Sequence, residues 1–144
     1  MELFSGCGRH GEIVTNTLKH YLDPFAGLCT PFVNLIRIDI KKNNNANPEL
    51  VADLLHFNMD HVARLKKCYP NKCWVVLASP PCQTYSKANT TGDTSPEALI
   101  RADQHVIVAQ NFIVNLDAYI GILENPATGL LKHREVRFYI DLQT

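Results

Sequence analysis

Short apolar runs rich in branched residues recur along this chain, and the intervals between them carry helical periodicity or turn residues. Such alternation predicts an α/β fold, because parallel strands need a long connection and a helix supplies it. Met1 to Phe4 reads as a first strand, Gly11 to Tyr21 as a helix and Phe32 to Ile40 as a second strand. Residues 41–48, with four asparagines, read as a loop, and Ala52 to Leu55 as a short third strand or turn. Met59 to Cys68 has a helical stripe through Val62 and Leu65 with lysines at its wet edge. Trp74 to Ala78 is the clearest buried strand, and Thr84 to Ser95 is polar and loop-like. Pro96 then opens a helix running to about Asp117, since proline is tolerated in a first turn, and Tyr119 to Leu123 is the next strand. The segment from Ala127 to Thr144 supplies no closing element.

A length of 144 residues fits one domain spanning 1–144, long enough for a core and too short for a catalytic domain plus a full-sized recognition domain. Fourteen basic and fourteen acidic side chains cancel, so no overall positive field draws the chain onto a polyanion, and any nucleic-acid contact has to be local or shared. The apolar runs fall far below membrane-spanning length, and Met1-Glu2-Leu3-Phe4 lacks the pattern of a secretory signal, so an intracellular protein without membrane contact is expected. Five irregularly spaced cysteines (Cys7, Cys29, Cys68, Cys73, Cys82) argue for reduced thiols rather than a disulfide framework. Cys68 and Cys73 with His56 and His61 match no usual zinc spacing, so no metal is expected.

Ser5-Gly6-Cys7-Gly8-Arg9-His10-Gly11 places G-x-G-x-x-G after a strand and before a helix, where glycines let backbone approach a nucleotide. Alone it fits a dinucleotide dehydrogenase, or a mere tight turn, equally well. Asp39, ending the second strand, stands where a carboxylate grips ribose hydroxyls in such folds, and Asp53 supplies a second acceptor. Taken singly, each aspartate reads equally as a solvated strand end or a helix cap.

Ala78-Ser79-Pro80-Pro81-Cys82-Gln83-Thr84-Tyr85-Ser86 follows the most hydrophobic strand, at the sheet edge where open α/β folds bind ligands. Two prolines restrict the turn and aim the thiol of Cys82, which suggests a nucleophile, although a buried strand-end cysteine is the plainer reading of that residue alone. Leu123-Glu124-Asn125-Pro126 puts a carboxyl group at the end of the following strand, where a lone glutamate would pass as ordinary surface.

Leu3-Phe4-Ser5-Gly6-Cys7-Gly8, then Pro80-Pro81-Cys82-Gln83 with Ser86 three residues after Gln83, then Glu124-Asn125-Pro126, together resemble the first, fourth and sixth signature motifs of the cytosine-carbon-5 DNA methyltransferases, in order. Glu124 to Leu131 also resembles the small phage and viral members, in which Asn-Pro replaces Asn-Val. The resemblance implies a Rossmann-like, doubly wound, mostly parallel sheet that binds S-adenosylmethionine and acts on DNA. It implies Cys82 as the nucleophile on cytosine carbon 6 and Glu124 as the acid at ring nitrogen 3. By the same resemblance Phe4 packs on the cofactor adenine, Asp39 holds its ribose and Asp53 accepts from its amino group, while Ser5, Gly6, Gly8 and Pro80 complete the cofactor site. Gln83 and Ser86 are the residues implied to contact DNA. Amino-directed DNA methyltransferases carry Asp-Pro-Pro-Tyr at this place; here Ser79 and Cys82 take the outer positions, which favours the covalent route.

No Gln-x-Arg-x-Arg strand, target-recognition region or closing motif follows, and Arg134 and Arg137 do not match them. The expectation is therefore a sheet lacking the family's last strands, with an exposed edge: either a second polypeptide completes the enzyme and supplies target recognition, or the chain is a truncated or decayed copy, or it is a fragment of a longer gene product. The alternative is a catalytically incomplete cofactor-binding or DNA-associated remnant needing a partner chain. A nicotinamide-dependent oxidoreductase rests on the glycine loop alone and leaves Cys82 and Glu124 unexplained.

Overall fold

A computed structural model describes residues 1–3, 12–17, 35–40, 50–86, 92–125 and 129–136. Among the described residues five strands, β1 (Glu2–Leu3), β2 (Arg37–Asp39), β3 (Leu50–Val51), β4 (Val75–Ala78) and β5 (Ile120–Leu123), form one sheet in the order β3-β2-β1-β4-β5. Every neighbouring pair is parallel. The helices are α1 at 12–17, α2 (Met59–Cys68) and α3 (Pro96–Asn115), with 3₁₀ turns at Leu54–His56 and Leu130–His133.

The strand order reverses direction between β1 and β4. From β1 the chain moves outward to β2 and β3; it then crosses back through α2 to β4 and goes on through α3 to β5. The last two crossovers run the same way across the sheet, so the right-handed rule puts α2 and α3 on one face. The two helices touch, and Lys66 of α2 is ion-paired to Asp117 just beyond α3. The opposite sense of the β1-to-β2 crossover assigns α1 to the other face.

Local chemistry sets the helix ends. Asn58 caps α2 by accepting from the backbone of Asp60 and His61, while His61 Nδ1 accepts from the Asn58 N–H, a reciprocal capping box. Ser95 Oγ caps α3 by accepting from Ala98 N–H at 3.2 Å, with Pro96 in the first turn. Asp117 terminates that segment at φ 51°, a left-handed conformation that a short polar side chain tolerates.

Leu3, Ile38 and Val76 are fully buried in the sheet and pack with Val62 of α2 and with Ala109, Phe112 and Ile113 of α3. Gly121 of β5 lies directly under Ile113: a Cβ there would stand 2.5 Å from Ile113 Cγ2, so the helix approaches the sheet only because that position has no side chain. On the other face of β5, Ile120 and Ile122 are exposed.

Several elements differ in extent from their sequence reading. The third strand is Leu50–Val51, and of the strand or turn read at Ala52 to Leu55 it is the turn that forms, a 3₁₀ segment at Leu54–His56 capped by the Asp53 side chain accepting from Leu55 N–H. Helix α3 ends at Asn115, within two residues of the end expected at about Asp117, and a 3₁₀ turn stands at Leu130–His133 in the stretch that begins at Ala127. Among the described residues no helix is long and apolar enough to cross a membrane.

Candidate active site

The register aligns the carboxyl ends of the strands. Leu3 pairs with both Ile38 and Ala78, and Ala78 pairs with Leu123. One residue further on, Asp39, Ser79 and Glu124 therefore stand in a row across the sheet edge. Backbone bonds extend the ladder there: Ser79 N–H donates to Leu3 C=O at 3.3 Å and Glu124 N–H to Ala78 C=O at 2.8 Å. Asp39 and Glu124 are three strand steps apart, roughly 14 Å at about 4.8 Å per step.

Pro80 is buried and Pro81 exposed, so the chain leaving β4 turns outward at the proline pair. The Cys82 thiol is free and half-buried at the start of a tight turn, closed by Tyr85 N–H donating to Cys82 C=O at 3.0 Å. Ser86 N–H donates to Gln83 C=O at 3.3 Å, so Gln83 and Ser86 belong to the same turn, with Gln83 exposed and Ser86 half-buried. Glu124 is exposed at the end of β5. Its neighbour Asn125 reaches back across the edge and donates from Nδ2 to Pro80 C=O at 3.3 Å. This bond joins the cysteine loop to the glutamate strand. With Nδ2 committed to Pro80, Asn125 Oδ1 is buried and has no partner among the described residues.

The candidate cofactor residues divide. Asp39 stands at the end of β2, half-buried, and its carbonyl accepts from Ala52 N–H at 2.8 Å. Asp53 is not a strand-end residue: Oδ1 caps the 3₁₀ turn by accepting from Leu55 N–H at 2.9 Å, and Oδ2 lies 3.9 Å from His56 Nδ1. Phe4, Ser5, Gly6 and Gly8 lie outside the described residues, as do Cys7, Cys29, Pro126 and Arg137. His61 caps α2 and packs on Phe57, with ring centroids 4.8 Å apart.

A cleft of about 400 Å³ opens beside the cysteine turn. Pro81, Gln83 and Thr84 form one wall; Glu97, Arg101 and His105, on one face of α3, form the other. The wall carries both signs of charge with amide and hydroxyl groups between them.

Sequence reasoning passed over a buried polar network below the turn. Tyr85 has no solvent exposure, and its hydroxyl donates to Asp103 Oδ1 at 2.8 Å. Asp103, buried on α3, also accepts from Arg134, whose Nε lies 3.2 and 3.1 Å from its two oxygens and whose Nη2 bonds Oδ2. Burial pushes the Tyr85 phenol well above its ordinary range, and the hydrogen bond and charge of Asp103 push the same way against the pull of Arg134. The hydrogen bond to Asp103 likewise raises the Arg134 guanidinium. The signal was available: Asp103 shares the inward stripe of α3 with Leu99, Ala102 and Val106, and an acid at such a position requires a donor and a cation.

No protein-family model, curated protein or solved structure matches this chain.

Proposed function

We propose that this chain binds S-adenosylmethionine and methylates carbon 5 of cytosine in DNA, with Cys82 as nucleophile and Glu124 as acid. The observation that carries the reading is the Asn125-to-Pro80 hydrogen bond, which ties the Pro-Pro-Cys turn to the Glu-Asn end of β5 across one shared edge. A nucleophile and an acid on adjoining strand ends suit a flat ring held between them. The reversal of strand order between β1 and β4 lies at the same edge, which is where open parallel sheets bind nucleotides, and Asp39 on β2 offers a carboxylate of the kind that accepts from ribose hydroxyls. Asp53, with one oxygen occupied as a cap, keeps a second for an amino group.

Thiolate addition from Cys82 to carbon 6 breaks the 5,6 double bond, and the negative charge arriving at nitrogen 3 is neutralised by the proton from Glu124. Carbon 5 becomes nucleophilic and accepts the methyl group that S-adenosylmethionine supplies when bound. A base then removes the carbon 5 proton, the double bond re-forms, the nitrogen 3 proton returns to Glu124, and Cys82 leaves as thiolate. The target base must be flipped from the duplex, since stacking hides both faces of its ring. Gln83 on the exposed side of the turn, and the cleft that it lines with Thr84, Arg101 and His105, offer polar contacts for the DNA around the flipped base.

Calorimetric titration with S-adenosylhomocysteine, followed by trapping with S-adenosylmethionine on DNA containing 5-fluorocytosine, tests the reading, because after methyl transfer the fluorine cannot leave as a proton does and the adduct accumulates. Binding together with an adduct that Cys82→Ser abolishes is the expected result. Binding without an adduct favours the remnant that needs a partner chain, and absence of binding removes the proposal.

A further inference from the structure

We propose that Tyr85, Asp103 and Arg134 form a positioning clamp that fixes where the Cys82 thiol stands relative to Glu124, an inference that rests on the function proposed above. The contacts form a closed circuit. From the Tyr85 hydroxyl they pass to Asp103, from Asp103 to the Arg134 guanidinium, and from Arg134 N–H to Leu131 C=O at 2.9 Å; Leu130 N–H then returns to Tyr85 C=O at 2.7 Å. Tyr85 is thus held by side chain and main chain at once, and its own N–H closes the turn that begins at Cys82. Its ring is enclosed by a second apolar cluster with Ala102, Val106 and Leu131, separate from the main core.

The members of the circuit sit on the Cys82 turn and on the two segments that flank Glu124 in the chain. Tyr85 belongs to the Cys82 turn, Asp103 to the helix that leads into β5 and Glu124, and Arg134 caps the end of the 3₁₀ turn that follows Asn125. A turn fastened only by its backbone could pivot about the two prolines; anchoring the far end through a charged, two-point contact removes that freedom. Reactions that bring two groups onto one ring lose rate steeply with small misplacement, so a side chain that touches no substrate still governs turnover. These are positioning residues, acting through the Cys82 turn.

The test reads the thiol directly and needs neither cofactor nor DNA. Alkylation of Cys82 by iodoacetamide is followed by peptide mass spectrometry, with the exposed Cys68 and Cys73 as internal references. Tyr85→Phe, which keeps the ring, and Arg134→Gln, at a partly exposed position, are each expected to speed Cys82 labelling roughly fivefold, the effect of losing about one hydrogen bond's worth of restraint on a local opening. Cys68 and Cys73 should be unchanged. Asn58→Ala, which weakens α2 away from the turn, should leave the Cys82 rate as it is, separating the clamp from general loss of stability. In methyl transfer, both clamp variants should lower kcat and leave the KM for DNA unaltered. Labelling of Cys82 within twofold of the parent protein in both variants would overturn the clamp even if methylation is observed. If the parent protein neither methylates nor traps, the function fails while the labelling result still decides the clamp. Should Tyr85→Phe not fold, Arg134→Gln alone decides it.

Discussion

Glu124 donates its backbone N–H to the carbonyl of Ala78 at 2.8 Å, so the carboxyl-bearing residue is fastened to the last residue of the strand that leads into Cys82. Sheet register therefore fixes where Glu124 stands against the end of β4, and the Pro-Pro turn carries Cys82 on from that point.

Replacing Glu124 by Gln keeps the shape and that backbone bond and removes the proton donor that the proposed mechanism requires. Because the side chain is exposed, unfolding in urea should stay within about 0.5 kcal/mol of the parent. Methyl transfer should fall by about 10²–10⁴-fold, the usual worth of a positioned acid. A loss under tenfold in single-turnover assays would dismiss Glu124 as the acid.

Gly121→Ala should destabilise the protein by about 1–3 kcal/mol, because the new methyl group would meet Ile113 inside contact distance and push α3 off the sheet. Ile113→Ala in the same chain should relieve part of that cost. Chemical denaturation of both single variants and the double variant gives the coupling; strict additivity would mean the two residues do not meet.

The alkaline limb of stability should carry the Tyr85 signature. Its phenol is raised in the folded state, so the folded protein keeps a proton that the unfolded chain releases above about pH 10. The stabilisation is therefore complete below about pH 10 and declines as pH rises, by at most about 1.4 kcal/mol per pH unit. Urea midpoints measured from pH 8 to 11 should fall more steeply for the parent than for Tyr85→Phe; equal slopes would show that the phenol ionises alike in both states.

Asn58→Ala removes the acceptor that serves the Asp60 and His61 amides at the start of α2. A loss of about 1 kcal/mol is expected from the unfolding midpoint, without change in the Cys82 labelling rate.

The parallel layout and most of α2, α3, β4 and β5 were legible because each has its own local punctuation. Asn58 and Ser95 mark helix starts, Pro96 occupies a first turn, and Val75 to Ala78 is an unbroken apolar run. What escaped is set by partners distant in sequence. Whether Asp53 ends a strand or caps a turn depends on a bond to Leu55 that competes with the β2 ladder, and periodicity is silent on that competition. Tyr85 read as part of a loop because its partners, Asp103 and Arg134, lie on elements further along the chain. At the site, Cys82 and Glu124 were visible as strand-end residues, but the Asn125-to-Pro80 bond that joins their segments belongs to no motif spacing. Phe4, Ser5, Gly6 and Gly8 lie outside the described residues, so only Asp39, Asp53 and Pro80 of the expected cofactor set have a described position.

The central strand has a consequence for how the chain is made. Glu2 and Leu3 leave a ribosome before the other strands of the sheet, and one flank of β1 is completed by Leu77 and Ala78, which emerge only ~75 residues later, a wait of several seconds at about 5–20 residues per second. Until then Leu3, fully buried in the finished protein, has no sheet to enter. Birth order and assembly order are thus opposed: of the five strands the one synthesised first waits for the strand that encloses it, and nascent chains that stop short of Ala78 should be the species that a chaperone holds.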